Sequence, residues 1–279
     1  MLVLEKRKKT IIHKIVAFTM KAPALFFLFA AIIAFFVLLY VNKFKDPEGF
    51  NEHDVIVELH GVLFDLIVFG ILLSIYEAIR SKNEKVERLK EELDDYRGWQ
   101  EPEATYRVVG IIKRLNKLGI NIDIDLKYCY LKNAPFIEPE LFSANLEAAN
   151  LQGARFLKGF LIGANFKGAN LEDAVFLDTN LMGADFEGAN LKSIVTSLAT
   201  NFQLVNLKGA NLEDVQMKHL NLLKVDLTGA NLKGAYVGKG WFENLEKWEV
   251  IGIKQIKEKY EISDWGFVSE KTITNEQPN

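Results

Sequence analysis

Three side chains in one apolar stretch have the most chemistry to offer in this sequence: Glu58, His60 and Asp65, within residues 55–76, VIVELHGVLFDLIVFGILLSIY. The two carboxylates are seven residues apart, so on a helix they fall within about 20° of one face, with Gly61 between them. Ionisable groups in so apolar a segment either line an ion or proton path or make a polar contact that holds helices together. Glu58 and His60 lie near one end of the stretch, where water reaches them. Asp65 is nearer the middle and should carry a proton or meet another copy. Elsewhere the chemistry is sparse. A single cysteine, Cys129, rules out an internal disulfide, and His13, His53, His60 and His219 make no metal-ligand spacing. No nucleophile, base and orienter can be placed together. The sequence therefore predicts no enzyme, no catalytic residue, no cofactor and no metal.

The elements that position the three polar residues follow from hydropathy and charge. Residues 22–41 and 55–77 each match the length of a membrane-spanning helix, about 20 residues at 1.5 Å rise. A cleaved secretory signal is the rival reading of the first, but its apolar run is longer than such signals carry and no small-x-small site follows Tyr40. Lys6, Arg7, Lys8, Lys9, Lys14 and Lys21 precede the first span. Arg80, Lys82, Lys85, Arg88 and Lys90 follow the second, whereas the loop 42–54 holds only Lys43 and Lys45. The positive-inside rule then places both termini in the cytoplasm of a multi-pass protein of a bacterial plasma membrane, with a basic segment at 1–21.

Beyond the second span, Ile75, Ile79, Lys82, Val86, Leu89, Leu93 and Tyr96 are spaced alternately four and three, a heptad seam with one polar position. This stalk, within residues 78–119, either self-associates in parallel or packs against the next helix. That helix is expected near Glu103 to Leu118, with Ala104, Val108, Ile111, Ile112, Leu115 and Leu118 on one side, Pro102 at its start and Gly119 at its end.

From residue 120 to 240 a different period takes over. Large apolar residues recur every fifth position from Leu126 to Leu191, fourteen without a slip, and resume after a one-residue insertion in SIVTSLAT for eight more, Phe202 to Val237. Alanine commonly stands two places before each centre, and Asn or Asp one place before. Neither a helix nor a strand has period five. The pattern closely resembles the pentapeptide repeat family, whose consensus is A(D/N)LXX, over roughly residues 122–240. The resemblance implies an all-β, right-handed quadrilateral β-helix with four pentapeptides per coil, the centre and the preceding small residue pointing inward. It would make about five and a half coils, roughly 26 Å long at a strand spacing of about 4.8 Å. Spacing of twenty then stacks Phe136, Phe156 and Phe176 in one internal ladder and Phe166 with Phe186 in another, with Thr196 ending the first. Cys129 takes an inward position as an inert thiol. Open solenoid ends need covers. The helix near 103–118 is assigned to one end and residues 241–270, beginning at WFENLEKW, to the other. Residues 271–279 are expected to be a disordered tail.

The residue after each centre points outward. Two faces carry Lys127, Glu147, Lys167, Glu187 and Lys132, Gln152, Glu172, Lys192, which is a solvated surface. The other two carry Ile137, Leu157, Leu177 and Phe142, Ile162, Met182, with Phe160 and Val175 beside them. Such apolar columns mark an interface, covered by the chain's own helices, a second copy, a foreign protein or the membrane surface. Some pentapeptide repeat proteins protect DNA gyrase as an acidic mimic of DNA. That role fits poorly with 12 acidic against 11 basic residues between 124 and 240, and the net charge of -3 offers no basic face for nucleic acid. His219 is expected to be an ordinary surface histidine. The reading is a membrane-anchored scaffold, homo-oligomeric through stalk and apolar faces, that presents its β-helix to an unknown protein partner. The alternative is an oligomeric channel-like effector with Glu58 and Asp65 along a polar path.

Overall fold

The computed structural model describes residues 30–36 and 52–271. The expectations for the basic segment, most of the first span, the loop as far as residue 51 and the tail from 272 lie outside those residues. Contacts divide the chain into two units, Met1–Lys85 and Val86–Asn279.

In the first unit residues 30–36 are helical, and helix α1, Glu52–Asp95, begins. The sequence reading separated a span at 55–77 from a stalk at 78, but α1 runs through that boundary without a break. Nothing in the sequence interrupts it: there is no proline, and Gly61 and Gly70 stand singly among good helix formers. Among the described residues α1 is the one helix long and apolar enough to cross a membrane, over His60–Asp95, by length and composition.

In the second unit the last turns of α1 meet α2, Pro102–Lys117. Val86, Leu89 and Leu93 share one buried cluster with Val108, Ile111, Ile112 and Leu115 of α2 and with Ile124 and Leu126 just beyond. The lower half of the heptad seam therefore packs within the chain, and Arg114 of α2 reaches Glu92 of α1 at 3.1 Å. Asn116 ties the end of α2 to the coil below it: its Nδ2 donates to the carbonyl of Glu140 at 2.7 Å, and its Oδ1 accepts from the Glu140 amide.

The period of five is a square coil. Parallel bridges Asp125↔Asn145, Tyr130↔Asn150 and Glu140↔Phe160, with β1 (Pro135–Ile137) on β2 (Arg155–Leu157), give four sides in twenty residues. β3 (Val175–Leu177) and β4 (Val195–Thr196) extend that last side. All twenty-two expected centres are buried, from Leu126 to Val237. At most corners the centre's carbonyl accepts from the amide three residues on, as Leu146 does from Ala149 at 3.1 Å. On the side of Phe136, Phe156 and Phe176 the third residue is Pro139, Gly159 or Thr179 and this bond is not made, the Phe156 carbonyl accepting the Thr179 hydroxyl at 3.0 Å instead. The residue two past the centre carries φ near +55°, for example Ala148 at 53° and Asp173 at 58°. A type II turn requires this, which is why glycine, and after it aspartate, recurs there.

Inside, the rings stack as the spacing of twenty predicts: Phe136 to Phe156 at 4.7 Å, Phe156 to Phe176 at 5.0 Å, and Phe166 to Phe186 at 4.6 Å. The two ladders meet edge to face, Phe156 against Phe166 at 6.4 Å. Outside, asparagines one place before the centres form their own ladders. Asn190 Nδ2 donates to Asn170 Oδ1 at 3.1 Å, and Asn211 Nδ2 to Asn190 Oδ1 at 3.0 Å. The same oxygens accept the amide two residues on, closing each turn a second time, as Asn190 does for Lys192.

The extra residue falls between Thr196 and Asn201, where the bridge spacing changes from Phe160↔Asn180 to Asn180↔Asn201. The bulge is closed by hydroxyls: Ser197 Oγ donates to Asp178 Oδ1 at 2.9 Å, and Thr200 Oγ1 to the Phe176 carbonyl at 2.8 Å. At the far end, the last coil is finished by α3 (Trp241–Lys247), α4 (Ile253–Lys259), β5 (Tyr260–Ile262) and β6 (Val268–Glu270). Ile251 adds a parallel bridge to Asp226, Phe267 an antiparallel one to Tyr236, and the Tyr260 hydroxyl accepts the Leu232 amide at 3.2 Å. Gly252, at φ 86°, lies so close to Thr228 that a Cβ would sit 2.7 Å from its amide nitrogen.

Candidate interaction surface

The coil fixes what each outward side chain can do, because the centre and the small residue two before it point inward and the remaining positions face outward. On the two charged sides these positions pair along the rod. Lys127 meets Glu147 at 2.9 Å, Lys167 lies 3.1 Å from Glu187 and 3.2 Å from Asp185, and Lys192 meets Glu213 at 2.8 Å. The hydrogen bond from Lys192 holds the Glu213 carboxyl below its ordinary range. At the start of the coil Arg97, from the end of α1, donates to Asp94 and Asp125 and to the Lys127 carbonyl. Burial works against its charge, but the Asp94 hydrogen bond and the Asp125 carboxylate prevail and raise its pKa.

The other two sides have apolar rows instead. Ile137, Leu157 and Leu177 stand in line on β1, β2 and β3, paired in register, with Ile137 57% exposed and the other two half-buried. Val175 flanks Leu177 on β3 and is half-buried. Round the corner Phe142, Ile162 and Met182 form the second column, also half-buried. Phe160 is exposed and stacks on Phe142 at 5.9 Å. All eight residues singled out in the sequence thus lie on two adjacent sides. The corner between the columns carries Glu138, Lys158 and Asp178 at left-handed φ, so the surface is two apolar stripes with a charged ridge between them. A shallow cavity of about 230 Å³ between α2 and the first coil, lined by Ile112, Lys113, Phe136, Ile137 and Pro139 among others, opens at one end of the first stripe.

Three further exposed apolar residues were missed by sequence reasoning: Val195, which continues the row of Val175, and Leu204 and Leu198, the last 86% exposed. Leu198 sits in the bulge, outside any repeat position, and Leu204 occupies a left-handed turn site at φ 60°. A leucine where the pattern supplies glycine or a short polar residue was the signal available.

The remaining candidates are placed as follows. His60 and Asp65 are exposed on α1, and the side chain of Glu58 lies outside the described residues. Cys129 is fully buried, and burial pushes its thiol up to about 11. His219 is outward but half-buried, its Nε2 2.9 Å from Thr196 Oγ1, so it is held at the bulge rather than free at the surface. Among the described residues no group of His, Cys, Asp and Glu is arranged to hold a metal.

Comparison with known proteins bears on the rod. The family model for pentapeptide repeats matches residues 161–194 and 200–236, in eight copies, and the gap between the two stretches is the bulge. No curated protein matches the chain. Among solved structures, a pentapeptide repeat protein from the Arabidopsis thaliana thylakoid lumen is 21% identical, the match covering 37% of this chain and 74% of that one at a TM-score of 0.32. HetL, a pentapeptide repeat protein involved in heterocyst differentiation regulation from the cyanobacterium Nostoc sp. strain PCC 7120, is 25% identical over 43% and 71%, at 0.24. Rfr23 from the cyanobacterium Cyanothece 51142 is 23% identical over 42% and 79%, at 0.23. Repeat spacing, square coil and family match converge on the same segment: residues 161–194 and 200–236 of this chain carry pentapeptide repeats.

Proposed function

We propose that the chain is a membrane-anchored scaffold that presents its β-helix to a protein partner and associates with copies of itself. The observation that carries the reading is the pair of apolar stripes, which remain solvent-facing although α2 and the C-terminal elements cover both ends of the rod. A contiguous outward apolar column of this kind marks an interaction site. Anchoring is supported by the length and apolarity of α1. An orientation with both termini cytoplasmic, in a two-span hairpin at the inner membrane, is supported by the lysine and arginine distribution. The near-balance of acidic and basic residues on the rod disfavours a DNA-mimic role.

Membrane flotation and carbonate extraction test the anchor, and cross-linking before and after the double change Leu157→Glu, Ile162→Glu tests the stripes. Wild-type complexes that disappear in the variant support the scaffold; unchanged complexes and unchanged co-purifying proteins remove it. A second reading, an oligomeric channel-like effector, is favoured by one observation, the exposed Asp65 in an otherwise apolar run. Ion flux in reconstituted liposomes that Asp65→Ala abolishes would establish it in place of the scaffold.

A further inference from the structure

The heptad seam of α1 does not begin at Ile75. Followed toward the N-terminus, the same alternation of three and four passes Leu72, Val68, Asp65, Gly61 and Glu58. It lies on one continuous helix, Glu52–Asp95, so the polar residues of the apolar stretch and the stalk residues share a single register. The lower end of the seam is already a helix–helix interface, with Val86, Leu89 and Leu93 buried with α2. Toward the N-terminus Val68, Leu72, Ile75 and Ile79 are exposed. A 3.5-residue repeat keeps one edge of a helix facing a partner, and a glycine in that edge lets two backbones approach closely; nothing lies within 4 Å of a Cβ placed on Gly61.

We propose that the occupant of the upper seam is the α1 of a second copy, in parallel and in register, with Asp65 paired to its counterpart across a two-fold axis. This rests on the membrane reading above. Copies inserted in one membrane with one topology lie parallel, and a two-fold axis along the bilayer normal brings each residue level with its own equivalent. An acidic side chain inside a span takes a polar partner. The chain's own residues 23–41 contain no hydrogen-bonding side chain before Tyr40, whereas a second copy supplies a carboxyl at the required level, and two such groups can share a proton. The polar seam position thereby fixes register, the role single polar residues have in other heptad interfaces.

The test is disulfide cross-linking of the full chain in native membranes, with single cysteines at seam positions (Val68→Cys, Leu72→Cys, Ile75→Cys) and away from the seam (Ile67→Cys, Ser74→Cys). The native Cys129 is fully buried and gives a low background. Dimer yield at the seam is expected to exceed the off-seam yield by about tenfold, following the two-faced geometry of a heptad helix. Asp65→Leu should lower the Leu72→Cys dimer several-fold, and Asp65→Asn, which can still hydrogen-bond, should restore it. Equal yields on and off the seam, or no dimer, in protein that floats with the membranes overturns the seam and leaves the anchor standing; the chain's own first span would then be the occupant. Protein that fails to float overturns the anchor itself. Seam dimers indifferent to both Asp65 changes remove the carboxyl pair from the proposal.

Discussion

The charged and apolar sides of the rod belong to the same coils and enclose one core, and they differ in the residues beside the centre. On the charged sides those residues return to the fold. Lysines and glutamates pair along the axis, and the asparagines beneath them are hydrogen-bonded from coil to coil. On the apolar sides Ile137 is exposed and Leu157, Leu177, Phe142, Ile162 and Met182 are half-buried, in columns that run outside the core. In this solenoid, then, stability is set by the inward positions and the asparagine ladders, and the other outward positions can be chosen for another purpose.

Substitutions that cross this divide should show it. The largest effect belongs to the interior: Phe156→Ala removes a ring stacked on two others and edge-on to a third, and should cost about 3–5 kcal/mol in denaturant unfolding. Its outward neighbour is the control, since Leu157→Ser should stay within about 0.5 kcal/mol; comparable losses from the two would erase the distinction. Next, Leu157→Glu with Ile162→Glu should leave unfolding unchanged while oligomer mass by light scattering falls. Asn190→Ala interrupts a ladder bonded on both sides and should cost about 1–2 kcal/mol. The buried thiol gives a pH signature. Cys129 holds its proton to about 11 in the fold against 9.0 in its ordinary state. The folded state therefore holds this proton more tightly between those values, and stability should fall as pH rises through that window, a slope that Cys129→Ala makes shallower. Smallest of all, Glu187→Ala breaks ion pairs to Lys167 and Lys208 at the surface and should not move the unfolding midpoint measurably.

The coil was legible in the sequence because every inward site obeys one spacing, so Phe136 above Phe156 and the slip after Leu191 could be named from residue types alone. The stripes were legible for the same reason. Leu198 and Leu204 were not, because a bulge has no period and a leucine at positive φ contradicts local preference. The partner of Val86, Leu89 and Leu93 was open between a second stalk and the next helix, since a heptad specifies a facing helix without saying whose; the chain's own α2 takes it. The sequence reading assigned residues 241–270 as the C-terminal cover without naming its elements, because seven-residue helices and three-residue strands are too short to establish a pattern.

The finished ends of the rod have a consequence for growth. A stack of parallel coils is a natural seed for polymerisation, since its last turn offers the next molecule the same unpaired edge its own coils use. Here Ile251 and Phe267 occupy positions on the final coil, and α2 lies over the first. Molecules of this kind cannot lengthen one another into a fibre, so any assembly spreads sideways and stops when its flanks are matched.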